Sequence, residues 1–316
     1  MLKKLDYQTY ILRKLKYKRL AIFAAYNAEG MVSNADILYI KELKKVVDNI
    51  IFIADNELQE NSVNKLKQYV CYIEAYHHGE YDFGSYKRGF EYALKKRLLD
   101  NIEELILCND SCYAPLNDFN KMFSVMKKNK CDFWGITENI EFSRHIQSFF
   151  VVMRKNVFTS EVFKNFIKKI KKQNSVQDVI KNYEIGLSSI LLQSGFTAQS
   201  YIKYPNQDEY PLTIVKGFKN LTAAPIWCVK QGSPLVKKKA FRFPEANYEG
   251  FLRLWLFCVL RNVSLISSLP PLRNCIYFNF SKYKKIIIRF FYQRKITKSG
   301  KILIKICKIP VYSKKL

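Results

Sequence analysis

Acidic residues run out before the chain does: no Asp or Glu follows Glu249, while Arg253 to Lys315 supplies 15 basic residues. Histidine is scarce as well, at three, and the eight cysteines form no Cys-x-x-Cys pair. Without such spacings a structural zinc site is not expected, and scattered thiols inside apolar runs suit a reducing compartment. No uncharged apolar stretch reaches the ~18 residues that a spanning helix needs. The opening Met1-Leu2-Lys3-Lys4-Leu5-Asp6 has neither the apolar segment nor the small-residue cleavage site of a secretion signal. These absences predict a cytoplasmic protein without a transmembrane helix.

What is present describes a folded, strongly basic chain. Its 316 residues are 48% hydrophobic and 15% aromatic, enough for a sizeable core. Lys+Arg 53 against Asp+Glu 27 gives a formal charge of +26, which calls for an anionic partner. Phosphorylated substrates, an anionic membrane surface and nucleic acid all qualify. The charge sits at the ends: the first 20 residues carry seven bases against Asp6, and the middle is closer to balance. This asymmetry divides the chain into a basic lead-in over 1–19, read as helical, a body over 20–245, and a basic, apolar region over 246–316.

Within the body, short apolar runs alternate with helical patterns. Leu20 to Asn27, Asn49 to Asp55 and Tyr69 to Glu74 read as buried strands, and Ile37, Ile40, Leu43 and Val47 have helical spacing. A loop containing His77 and His78 opens a helix that runs to about Lys96. Further strands are expected at Leu105, at Asp132–Thr137 and at Gln147–Met153, and helices over Ser160–Lys171 and Val176–Lys181. That rhythm predicts a mostly parallel sheet with crossover helices.

The organising stretch is Glu104-Leu105-Ile106-Leu107-Cys108-Asn109-Asp110-Ser111. An apolar strand ends abruptly in a polar loop, at the sheet edge where open α/β proteins bind ligands. Asp110 there can reach a sugar hydroxyl or a phosphate-bound metal. The same residue types are favoured in turns and helix caps, so alone the stretch leaves both roles open. Asp82-Phe83-Gly84-Ser85 fits a helix start whose backbone amides face an anion.

Taken in order, Tyr81-Asp82-Phe83-Gly84-Ser85-Tyr86-Lys87, Leu107 to Leu116, Asp132 to Glu138, His145-Ile146-Gln147-Ser148 and Tyr183-Glu184-Ile185-Gly186-Leu187 form a pattern. It resembles the nucleotide-sugar glycosyltransferases of the GT-A fold and, within them, the rhamnan synthesis F family, over residues 20–240. The resemblance implies an α/β, GT-A-like sheet flanked by helices, with a basic helical appendage at the C-terminus. It implies donor binding by Ala25, Tyr26, Asp55, Asp82, Gly84, Ser85, Lys87, Asn109, Asp110 and Ser111. Glu184 is implied as catalytic base in an inverting reaction, with Asp110 as its catalytic partner. His145 and Gln147 are implied to hold acceptor or diphosphate. Asp110 stands where the fold carries an Asp-x-Asp metal motif, so it is the candidate ligand for Mg²⁺ or Mn²⁺. Here that motif keeps one carboxylate, and if no metal binds, Lys87 or Arg88 must carry more of the diphosphate charge. Asn220-Leu221-Thr222 and Trp227 match a weaker tail of the pattern, and His77 and His78 are left as loop residues.

Beyond Asn247 the text changes. Phe251 to Arg261 is strongly apolar with flanking arginines, and Tyr277 to Lys315 interleaves Ile, Phe and Tyr with 12 bases. This is the chemistry of a membrane-interface segment, or of an appendage whose Lys-rich face stays in water. The expectation is a glycosyltransferase at the inner face of the cell membrane. It moves a sugar, rhamnose from dTDP-rhamnose by the resemblance, onto a bacterial surface polysaccharide or lipid-linked glycan; nucleic acid is not expected as a partner. A different nucleotide-hexose donor, a retaining course, or a non-catalytic lipid- or nucleic-acid-binding scaffold are the alternatives.

Overall fold

The computed structural model describes residues 4–6, 16–204, 220–242, 250–271, 292–296, 301–306 and 309–315. These fall into two compact units, Met1–Ser268 and Leu269–Leu316. The first begins with β1 (Lys4–Asp6), β2 (Arg19–Ala25), α1 (Asn34–Leu43), β3 (Asn49–Ala54), α2 (Glu60–Leu66) and β4 (Tyr72–Ala75). It continues with α3 (Tyr81–Lys95), β5 (Glu104–Asn109), β6 (Cys112–Tyr113), α4 (Phe119–Lys127), β7 (Phe133–Gly135), β8 (Glu138–Asn139), β9 (His145–Ile146) and β10 (Phe150–Arg154). Helices α5 (Lys155–Phe158), α6 (Glu161–Lys168), α7 (Val176–Val179) and α8 (Gly186–Gln193) follow, with a π-helical turn at Ile180–Ile185, and then β11 (Ala198–Ser200). Helix α9 (Pro225–Lys230), β12 (Val236–Lys237), α10 (Lys239–Arg242) and α11 (Phe251–Arg261) complete it.

Eight of the strands form one sheet in the order β1-β4-β3-β2-β5-β10-β7-β11, and β12-β6 and β8-β9 form two small ones. Strands β4, β3, β2 and β5 run parallel, as do β7 and β11; β10 enters antiparallel between them. Period-2 geometry splits each buried strand between two cores. Ala21 and Phe23 pack with Tyr39, Phe52, Phe119 and Trp134 on one face. Leu20 and Ile22 pack with Phe83, Phe90 and Phe163 on the other. With both faces covered, each fully buried Leu, Ile or Phe contributes about 1.5–3 kcal/mol, which holds these continuous apolar runs as central strands.

Register decides where function can sit. Ala25 pairs with Ala54 and Ala24 with Asn109, so β2, β3 and β5 end level. Tyr26, Asp55 and Asp110 therefore leave the sheet side by side. Helix α3 lies on this sheet through Gly89, where a Cβ would stand 2.4 Å from Ile22 Cγ2. Gly135 is tighter against fixed atoms: its Cβ would meet Ile146 Cγ2 at 2.3 Å and the Phe150 carbonyl oxygen at 2.8 Å. Gly135→Ala is expected to cost ~1–3 kcal/mol by overpacking, seen as a lower Tm in thermal unfolding. An unchanged Tm would mean that β7 and β10 have slack there.

Two expectations need correction. Lys4–Asp6 of the lead-in is a strand, not a helix: it pairs antiparallel with β4 and gives that edge strand its missing partner. Residues 7–15 lie outside the described residues. Among the described residues the C-terminal appendage is helical at α11 and in a short 3-10 turn at Val263–Leu265. In the second unit β13 (Tyr292–Ile296), β14 (Lys301–Ile306) and β15 (Ile309–Lys315) form a three-stranded antiparallel sheet. The sequence Lys301-Ile302-Leu303-Ile304-Lys305-Ile306 is rich in β-branched residues and lacks helical spacing, which favours strand. Residues 272–291 of that basic stretch also lie outside the described residues. No described helix is long and apolar enough to cross a membrane.

Candidate functional site

A cavity of about 540 Å³ opens at the carboxyl ends of β2, β3 and β5. Ala25 and Tyr26 line it from β2, Asp55 from β3, Asn109, Asp110 and Ser111 from β5, and Tyr81 and Asp82 from the start of α3. His77 and Gly79 line it from the preceding loop, and Lys172, Gln173 and Asn174 from the segment before α7. Seven of the residues expected at the donor are thus brought together, six by the level ends of three parallel strands and Asp82 by the start of α3.

Asp55 organises one end. Its Oδ1 accepts hydrogen bonds from the backbone N–H of His78 (2.6 Å) and of Gly79 (2.8 Å), and His77 Nδ1 lies 3.1 Å away. His78 is buried; burial and the Arg88 charge lower its pKa to about 4, against Asp55 and Glu80, and its Nε2 meets Ser85 Oγ at 3.0 Å. It is therefore a neutral brace for the α3 entrance. Tyr26, 59% exposed, offers its ring to the cavity.

Asp110 organises the other end. Its Oδ2 accepts from the Tyr26 backbone N–H at 3.1 Å, locking β5 to β2. Burial and the nearby Asp36 raise its carboxyl to about 6, although Lys238 and the Tyr26 amide pull the other way. Asp82 Oδ2 accepts from Asn109 Nδ2 at 2.8 Å; burial pushes Asp82 up, that hydrogen bond offsets part of it, and the Glu184 charge adds to the rise.

Other expected residues have different surroundings. Gly84 and Ser85 stand behind the cavity wall: a Cβ on Gly84 would meet Glu80 Cβ at 2.3 Å, so glycine serves the packing of the turn. Lys87 turns its Nζ to the Ile170 carbonyl at 2.9 Å. Arg88 is held by Glu80 (2.7 Å), the Tyr76 hydroxyl (2.7 Å) and the Gly84 carbonyl (2.9 Å). Neither of these cations points at Asp110.

Two lysines that sequence reading missed do approach it. Strand β12 pairs with β6, with Lys237 opposite Cys112, and the Lys238 backbone N–H donates to the Ser111 carbonyl at 2.8 Å. Lys237 Nζ then donates to Ser111 Oγ at 2.8 Å and lies 4.8 Å over the Phe149 ring. Lys238 Nζ pairs with Asp36 at 2.8 Å; burial lowers its pKa, but Asp36 and Asp110 bring it above the ordinary value. In sequence, Lys237-Lys238-Lys239 looks like any solvated basic run; only the β12–β6 pairing, which sets Lys237 on Ser111 across 126 residues of chain, gives it a site.

Glu184 lies inside a continuous helical run, directly before α8. Ser175 caps the helical run, accepting from the Asp178 N–H at 3.1 Å, so helix starts at Val176 and Glu184 falls in the π turn. Its Oε2 accepts from the Ser148 backbone N–H at 2.9 Å and from the Ser148 hydroxyl, and its Oε1 lies 3.4 Å from His145 Nε2. That last approach is a close charge contact outside hydrogen-bond alignment. Burial pushes Glu184 up, but His145, Ser148 and Lys237 outweigh it and leave the carboxyl below its usual range. His145 moves oppositely: burial lowers it, while Glu184 and the Ser143 carbonyl at 2.7 Å bring it above the ordinary value. Gln147 accepts from the Thr137 hydroxyl at 2.8 Å. Asn220 caps the short turn before α9 and reaches Glu141 at 3.2 Å.

Among the described residues no three His, Cys, Asp or Glu side chains converge as a metal cage. Asp110 lines the cavity with Asp82, and Asp36 is near enough to raise its pKa, but the three do not converge on one point. Mg²⁺ takes one or two carboxylates and completes its shell with phosphate oxygens and water, so Asp110 fits a shared ion rather than a preformed site.

The level strand ends, the α3 entrance and the cavity at the carboxyl edge of the sheet define an open α/β protein with a mostly parallel sheet. The rhamnan synthesis protein F family model matches residues 50–301, and the chain belongs to that family. It is 26% identical over 206 residues to an uncharacterised protein of Sinorhizobium fredii, covering 64% of this chain and 51% of that one. It is 25% identical over 193 residues to virulence protein VirA of Vibrio anguillarum, covering 53% and 61%. The chain thus spans about half to three-fifths of the curated relatives it matches. Among solved structures, a mannosyltransferase of S. cerevisiae aligns at TM-score 0.32 and 11% identity, covering 52% of this chain and 65% of that one. A 4-diphosphocytidyl-2C-methyl-D-erythritol synthase aligns at 0.37 and 10%, covering 62% and 96%. Similarity at that level identifies neither substrate nor reaction.

Proposed function

We propose that this chain is a nucleotide-sugar glycosyltransferase acting in bacterial surface polysaccharide synthesis. The supporting observation is the convergence of Tyr26, Asp55, Asp82, Asp110 and Ser111 on one cavity, with Lys237 on Ser111 and Glu184 near enough for its charge to raise Asp82. In this reading Tyr26 and Asp55 hold the nucleoside, and the amides at the start of α3 face the diphosphate. Asp110 would hold Mg²⁺ or Mn²⁺, which would supply positive charge for the diphosphate, while Lys237 takes up charge as the leaving group departs. Glu184 removes the acceptor hydroxyl proton in an inverting displacement, with His145 as its charge partner and Gln147 beside it. Rhamnose from dTDP-rhamnose is the donor that family membership favours.

We place the chain at the inner face of the cell membrane, near a lipid-linked or growing glycan acceptor. The support is the formal +26 together with α11 and its end, where Leu260 is 81% and Val263 64% exposed beside Arg261.

Thermal shift with nucleotides and nucleotide sugars, with and without Mg²⁺ or Mn²⁺, tests the donor assignment. A ligand at 100 times its Kd adds ~2.7 kcal/mol to stability. The expected result is selective stabilisation by dTDP and dTDP-rhamnose. Stabilisation by another nucleoside diphosphate alone would reassign the donor, and no response to any nucleotide would refute the transferase.

A further inference from the structure

The cavity wall formed by Lys172, Gln173 and Asn174 has no counterpart among the motifs that carry the family resemblance. It is nevertheless a built wall. The Tyr183 hydroxyl accepts from the Lys171 backbone N–H at 2.9 Å and from Gln173 Nε2 at 2.7 Å, and donates to the Lys171 carbonyl at 2.8 Å. Asn182 Nδ2 donates to Gln173 Oε1 at 2.8 Å, and Lys87 Nζ holds the preceding Ile170 carbonyl at 2.9 Å. The Tyr183 ring is itself buried against Phe83 at 5.5 Å and Phe166 at 6.2 Å. One hydroxyl with three partners therefore fixes the path of a segment that is otherwise exposed.

That path presents Lys172 to the cavity. Its stem lies by Gly79, whose Cβ would stand 3.7 Å from Lys172 Cδ and Cε, and Gly79 N–H is bonded to Asp55. Lys172 has no carboxylate partner among the described residues. It is also the one lysine or arginine among residues lining the cavity, facing a lining that holds Asp55, Asp82 and Asp110. An ammonium kept without a partner at the mouth of such a cavity is matched to an anionic ligand, and the segment ordering it keeps the cost of recruitment low.

We infer that Lys172 is a phosphate contact of the nucleotide donor at the α3 entrance of the cavity, beside Gly79, and that Tyr183 is the positioning residue that holds it there. The inference rests on the donor reading above. Tyr183 precedes Glu184 in the π turn, so one short element holds the donor wall with its first side chain and reaches Ser148 and His145 with its second.

Isothermal titration on the full chain tests this, using dTDP, UDP and GDP and then the monophosphate and nucleoside of the tightest binder. Lys172→Ala is expected to weaken the diphosphate ~10-fold or more and the nucleoside less than ~2-fold, with Lys172→Arg largely restoring affinity. The salt dependence of diphosphate binding should flatten in Lys172→Ala. Tyr183→Phe should raise Kd and donor KM by ~5-fold with kcat nearly unchanged, because only loop order is lost. Gln173→Ala, which keeps the tyrosine, should move Kd the same way and covers the case in which Tyr183→Phe folds poorly. A wild-type chain that binds nucleotide while Lys172→Ala binds it equally well overturns the inference and leaves the donor reading standing. Normal affinity in both Tyr183→Phe and Gln173→Ala overturns the positioning role. A wild-type chain that binds no nucleotide refutes the donor reading and this inference with it.

Discussion

Asp110→Asn is expected to yield a protein that is more stable than the parent and almost inactive. The carboxyl is raised to about 6 by burial and by Asp36, so its anion is held at a cost in the folded state. Measured from an ordinary carboxyl at 3.8, that cost is at most ~3 kcal/mol, and the open cavity beside it reduces this to about 1–2 kcal/mol. The sign follows from linkage: a group whose pKa is raised by folding binds protons preferentially in the folded state between about pH 4 and 6. Its stabilising contribution is present below that window and is lost as pH rises through it. Asn cannot ionise but still accepts from the Tyr26 N–H, so the variant should gain stability at pH 7 and lose that pH dependence. Activity should fall by ~100-fold or more, since a group aimed at the leaving diphosphate or its metal is gone. In the parent, kcat/KM should decline as pH drops through about 6, where Asp110 takes up its proton. Chemical denaturation at pH 4.5 and 7 with parallel rate measurements checks all three. A variant that is destabilised at pH 7, or fully active, would mean that Asp110 is a structural tie between β2 and β5.

Glu184→Gln should lose ~100- to 10,000-fold in kcat with little change in donor KM, the signature of a missing general base. Gln keeps the shape and can still accept from Ser148, so the fold should be retained. Because His145 and Ser148 hold Glu184 below the ordinary carboxylate range, Glu184 is ionised at neutral pH and ready to accept a proton. Its own acid limb in kcat should therefore lie below that of an unperturbed glutamate. His145 loses its charge partner in the variant, and its pKa, followed by NMR, should fall. Retained kcat would instead mark Glu184 as the strut of the Ser148 loop and direct the search for a base to Asp82.

The parallel body was legible because its signals are local. Buried apolar runs ending in Asn27, Asp55 and Asn109-Asp110 fix strands and strand ends together, and level register then makes one cavity from three distant loops. The lysines opposite them were not legible. Lys237 depends on a two-residue strand pairing, and Lys172 on a tyrosine hydroxyl 11 residues further on; neither leaves a periodicity or motif. Lys87 shows the reverse failure: its place in a recognised pattern suggested a phosphate contact, whereas packing turned it to Ile170. The π turn is invisible for a related reason, since apolar spacing cannot distinguish one extra residue per turn within a short amphipathic run.

The measurement that bears most directly on the central claim is release of nucleoside diphosphate from a panel of nucleotide sugars, with a bacterial membrane lipid extract as acceptor. The account predicts release from one donor, dTDP-rhamnose first among them, that requires the extract and is abolished by Asp110→Asn and by Glu184→Gln. Absence of release from every donor, or release that both variants leave intact, would contradict it.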